Sequence, residues 1–137
     1  MKLWQKDKAA LAEVEKFTVG NDKDLDIYLA PYDVMGSLAH IKMLEAVGLL
    51  TKEELQSLET ALKEIYKQTE TGHFKLDEGV EDIHSQVELM LTQKLGDVGK
   101  KIHSARSRND QVLVDLKLFL RAEIEKVVIN TKELFDL

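Results

Sequence analysis

Apolar residues recur along this chain at intervals of three and four, the period at which one face of an α-helix returns. From Val34 to Val47, Val34, Leu38, Ile41 and Met43 or Leu44 fall on one side, and Gly48 stands where a left-handed residue would close the helix. Thr51 and Glu54 then form a capping-box pattern, with Leu50 and Leu55 as its hydrophobic staple. Leu55, Leu58, Leu62, Ile65 and Tyr66 carry a second stripe as far as Thr71-Gly72, so the pattern predicts an αα-hairpin from Val34 to about Glu70. A loop through Phe74 and Leu76 leads to a helix over Glu81 to Leu95, with Val87, Leu91 and Leu95 inward and Gly96 near its end.

Ahead of the hairpin the signals are weaker. Ala9 to Phe17 has the spacing for two helical turns, and Gly20-Asn21-Asp22 reads as a break. Leu25, Tyr28 and Leu29 share a helical face, Pro31 limits that turn, and Asp33 is the expected N-cap of the next helix. Lys100 to His103 can bridge in any conformation.

The last stretch is different. Asp110 to Phe135 contains neither proline nor glycine, which predicts a helix of about 26 residues, roughly 39 Å long. Between Val112 and Leu120 only Asp115 and Lys117 interrupt the apolar residues. A helix apolar on most sides needs cover on most sides, more than a small domain provides, so other chains or a further part of the same protein are expected. Apolar residues run up to Leu137, which favours a truncated sequence.

With 137 residues the chain has the length of one domain, and its single proline and 32% charged residues suit helices. The expected fold is all-α. Having no cysteine excludes disulfides and thiolate zinc sites and is compatible with a reducing cytoplasm. Neither a signal-peptide core nor an apolar run of spanning length is present, so a cytoplasmic protein with no membrane partner is expected. A net charge of -6 argues against a nucleic-acid partner.

Candidate chemistry gathers in Lys100 to Val112, KKIHSARSRNDQV. Arg106, Ser107, Arg108 and Asn109 would stand where the long helix begins, adding their donors to its free N–H groups and positive dipole end, a setting for carboxylates or phosphates. The plainer reading is a helix start capped by Ser107 or Asn109, with Asp110 favouring the dipole. Glu81, His84 and Glu88 have one-face spacing, but no second histidine or strong fourth ligand supports a metal, and none is expected. His84 is read instead as an organising residue, and His103 as an anion contact or a backbone partner. His40 and His73 carry no signal. Gly36-Ser37 could let a partner helix approach closely. No nucleophile elbow, phosphate-cradling loop or dinucleotide fingerprint occurs, and no cofactor is expected.

Four stretches, in order, give the chain a family likeness: Lys2-Leu-Trp4 with Glu15 to Thr18, Leu29 to His40, Glu81-Asp-Ile-His84, and His103 to Val112 followed by Asp115-Leu116. The sequence resembles the N-terminal portion of the argininosuccinate lyases, in the fumarase and aspartase superfamily. That resemblance implies residues 1-107 as an N-terminal helical domain and 108-137 as the start of a central helical bundle. It implies a homotetramer whose sites draw on three subunits, and a β-elimination of argininosuccinate to fumarate and arginine. Arg108 and Asn109 would grip substrate carboxylates, Ser107 and Arg106 would shape their loop, and Asp82 and His84 would orient substrate or its neighbours. The family's acid and base lie in segments beyond Leu137, so no catalytic residue is assigned in this chain. Near Thr18 a frequent substrate-binding serine is replaced by Gly20. The competing expectations are a helical interaction module without chemistry, or a superfamily lyase releasing fumarate from another substrate.

Overall fold

A computed structural model of the chain describes residues 17 and 22–137. The helix expected over Ala9 to Phe17, the break at Gly20-Asn21 and the first likeness stretch therefore lie, Phe17 apart, outside the described residues. Among the described residues there are six α-helices and no strand: α1 (Asp22–Asp26), α2 (Ala30–Ala46), α3 (Lys52–Glu70), α4 (Ile83–Leu95), α5 (Asp97–Lys100) and α6 (Arg108–Phe135). A 3-10 turn, Ile27–Leu29, joins α1 to α2, and a second, Lys101–His103, follows α5.

The hairpin of α2 and α3 is built as its pattern predicts. Val34, Ile41 and Leu44 meet Leu58, Leu62 and Ile65 in the core, with Leu38, Leu55 and Tyr66 half-buried beside them. Of the two alternatives Met43 and Leu44, the buried one is Leu44. Gly48 takes φ +79°, and the Thr51 and Glu54 side chains accept from each other's backbone N–H at 3.2 and 3.0 Å. Ile83, Val87 and Leu91 of α4 close the core together with Phe74 and Ile102. Each fully buried side chain of this size contributes about 1.5–3 kcal/mol, whereas an exposed, solvent-screened pair such as Lys63–Glu59 adds little, so apolar packing dominates the fold.

Three local expectations are corrected. Asp33 is not an N-cap: α2 already starts at Ala30, because Pro31 sits in the first turn, where its missing N–H costs nothing. Asp33 is instead 1% exposed inside the molecule. Leu25 and Tyr28 are largely exposed, and Ile27, Leu29 and Ala30 face the core in their place. Glu81 does not share a helical face with His84 and Glu88, since Asp82 caps α4 and Glu81 is exposed before it.

The 28 residues of α6 pack against α2 through their first half. Gly36 lies at this contact, where a Cβ would come 3.3 Å from Cγ1 of Val114, and the ring of Tyr32 meets Phe119 edge-on at 5.9 Å. Further along, Ile124, Val127, Val128, Ile129, Leu134 and Phe135 are all more than half exposed. No helix of the described residues is long and apolar enough to cross a membrane.

Candidate functional site

The site is assembled where α6 begins. Ser107 caps the helix: its Oγ accepts from the backbone N–H of Asp110 at 3.3 Å, and the Asp110 carboxylate accepts from the Ser107 N–H at 2.8 Å. Ser107 rather than Asn109 is thus the N-cap, with both its side chain and its backbone N–H committed. Asn109, the second residue of the helix, is exposed and makes no side-chain hydrogen bond among the described residues. Ser107→Ala is expected to destabilise the chain by about 1 kcal/mol by orphaning the Asp110 N–H. Thermal unfolding checks this, and an unchanged midpoint would place the start of the helix elsewhere.

The loop before this cap is fastened to α2 from both sides. His40 donates from Nε2 to the Ser104 carbonyl at 2.8 Å, and Arg106 donates from Nη2 to Ser37 Oγ at 3.1 Å. Between them Ala105 is held at φ +58°, a left-handed conformation that an L-residue adopts only under tertiary constraint. Burial lowers the pKa of His40, so it serves as a neutral donor near neutral pH. Half-buried His103 ends the 3-10 turn before the loop.

Arg108 reaches toward the start of α4. Its Nη2 donates to Ser85 Oγ at 3.2 Å and its Nη1 to Gln111 Oε1 at 3.3 Å, while Nε lies 3.4 Å from Oδ2 of Asp82. Asp82 also accepts from the Ser85 N–H at 2.7 Å, and Asp26 takes the Ile83 N–H at 2.8 Å, so two carboxylates sit at one helix N-terminus. The Arg108 side chain is left 29% exposed, a fixed but accessible donor fork next to the free amide of Asn109.

Beneath this surface lies a buried ion cluster. His84 donates from Nδ1 to Asp33 Oδ1 at 3.0 Å, with Asp115 Oδ2 3.5 Å from the same nitrogen. All three residues are at most 3% exposed, and among the described residues Asp33 Oδ2 and Asp115 Oδ2 have no hydrogen-bond partner. Burial pulls the His84 pKa down, but the hydrogen bond and charge of Asp33 outweigh it and hold the imidazole above its ordinary value. Burial, with the charge of Asp33, pushes the Asp115 carboxyl up to about 7. The donor atoms of the three lie within 4.8 Å of one another, the composition of a cation site. We read them as an ion-pair cluster, because Nδ1 of His84 is already given to Asp33 and the Arg106 guanidinium supplies positive charge beside both carboxylates.

The structure thus brings together Arg106, Ser107, Arg108, Asp82 and His84 of the expected set, and leaves Asn109 at the rim. Sequence reasoning missed Asp33, Ser37, His40, Gln111 and Asp115. A pocket of about 340 Å³ between α2 and α6, lined by Gly36, His40, Met43, Arg106, Gln111 and Asp115 among others, opens beside them.

Comparison with known proteins bears on what this arrangement serves. A family model described as lyase matches residues 7–137. The argininosuccinate lyase of Bacteroides fragilis is 62% identical over 134 residues, which are 98% of this chain and 30% of that protein. That of Thermotoga neapolitana is 48% identical over 126 residues, 92% of this chain and 32% of that protein. The chain spans about 30% of the length of the curated relatives it matches. With a match that runs through nearly the whole sequence and past every residue of the site, the chain belongs to this lyase family.

Proposed function

We propose that this chain is the N-terminal part of an argininosuccinate lyase and supplies the carboxylate grip for elimination of fumarate from argininosuccinate. The observation that carries the reading is the Arg108–Asn109 pair. One member is a guanidinium fixed by Asp82, Ser85 and Gln111, and the other is an unengaged amide at the open end of a helix. Proton removal next to a carboxylate builds negative charge on it, and fixed donors of this kind stabilise such charge by a few kcal/mol each in a dry site. In this reading Arg106 and Ser107 hold the loop, Asp82 orients Arg108, and His84 holds α4 against α2. The acid and base come from the remainder of a cytoplasmic protein. Residues 108-137 begin its central bundle domain, whose assembly as a homotetramer covers the apolar side of α6, and residues 1-107 form the domain that seats it.

A mixing experiment tests the reading. A full-length lyase carrying alanine at the position matching Asn109 should regain fumarate production when co-assembled with this chain, and should not when the chain itself carries Asn109→Ala. Co-assembly without recovery would mean that the fold is kept as a helical interaction module.

A further inference from the structure

Gln111 stands between the buried cluster and the surface arginine. It is 5% exposed, its Nε2 donates to Asp33 Oδ1 at 3.4 Å, and its Oε1 accepts from Arg108 Nη1 at 3.3 Å. Chemistry fixes this orientation. A reversed amide would set NH2 against guanidinium and oxygen against carboxylate, losing both bonds. One neutral side chain therefore joins the acceptor that His84 uses to the guanidinium that Asp82 and Ser85 hold.

The cluster beneath can exchange protons. Asp115 and Gln111 both line the pocket between α2 and α6, which brings solvent space up to the Asp115 side of the cluster. The other charged groups facing the cluster are Asp26 at the end of α1, Asp82 at the cap of α4, Arg106 in the loop and Arg108 on α6, with Glu88 of α4 facing Arg106. Asp33 and Asp115 each keep one buried oxygen without a hydrogen-bond partner among the described residues.

We propose that Gln111 is a positioning residue, coupling the protonation of His84 and Asp115, through the Asp33 carboxylate between them, to the seat of the Arg108 guanidinium. As protons leave the cluster, the gathering negative charge draws the amide NH2 toward Asp33 and turns Oε1 more firmly onto Nη1 of Arg108. Its functional weight rests on reading Arg108 as the carboxylate grip.

The test follows the Nε–H resonance of Arg108 and the imidazole of His84 in the nitrogen-15-labelled chain, across about pH 5 to 9. In the wild-type chain the Arg108 resonance should inflect with the cluster. In Gln111→Met that pH-dependent movement should shrink roughly threefold or more while His84 still titrates. In Gln111→Glu, an added like charge beside Asp33 should carry the inflection to higher pH. A flat Arg108 resonance in the wild-type chain, or full movement in Gln111→Met through the direct field of the cluster, overturns the proposal. The wild-type measurement decides even if a variant fails to fold. Failure of the mixing experiment alongside an intact Arg108 inflection would count against the grip and leave the coupling standing. A flat resonance alongside recovered turnover would do the reverse.

Discussion

Raising the pH from about 4 to about 8 should cost the chain on the order of 4 kcal/mol of stability through Asp115, and Asp115→Asn should remove most of that loss. The carboxyl binds its proton with a pKa of 3.8 when exposed and about 7 when folded, a gap of roughly three decades at about 1.4 kcal/mol each. Because the folded value is the higher one, the stabilisation is complete below pH 3.8 and is lost as the pH rises through 7. His84 and Asp26, both raised, act in the same sense. Asparagine keeps the shape, cannot ionise and offers an N–H toward the oxygens of Asp33. Urea unfolding at several pH values measures the effect. If Asp115→Asn kept the parent's pH dependence, the buried proton would have to reside elsewhere.

Gly99→Ala is expected to destabilise the chain by about 3 kcal/mol or more, close to the upper end for an overpacked site. A Cβ at this position would stand 2.4 Å from the Leu91 carbonyl carbon, 2.5 Å from its oxygen and 2.6 Å from the Thr92 nitrogen. All three atoms belong to the backbone of α4, so no side chain can swing away, and α5 would have to lift off the helix it folds against. Ile102, 2% exposed just beyond, would then lose its place in the core. Circular dichroism through a thermal ramp reads the outcome, and a variant as stable as its parent would contradict the close approach of α5 to α4.

The hairpin was legible because Val34, Leu44, Leu58 and Ile65 obey one period, and because the Thr51–Glu54 cap is a local pattern that needs no tertiary information. Ser107 was legible as a cap for the same reason. The buried polar groups Asp33 and Ser37 and the half-buried His40 were not, since all three look like solvent positions until three helices converge on them. Their spacing held a signal all the same, for 33, 37 and 40 lead along one face to Leu44, which lies in the core. Asp115 stood out as an interruption in an apolar run and as part of the family likeness, but neither signal told that it would be buried beside Asp33 and His84. The start of α2 was misplaced because Pro31 reads equally well as the end of one helix or the first turn of another.

Gly36 has a consequence well away from itself. Val114 rests on it, and from Val114 to Phe135 the helix runs on for roughly 31 Å, so a tilt of about 5° at this contact would carry the far end about 3 Å sideways. The spacing at this one glycine therefore bears on the aim of the whole rod. A methyl group at Gly36 would need only a few tenths of an ångström from Val114, a small local disturbance that grows with leverage into a misdirected tip.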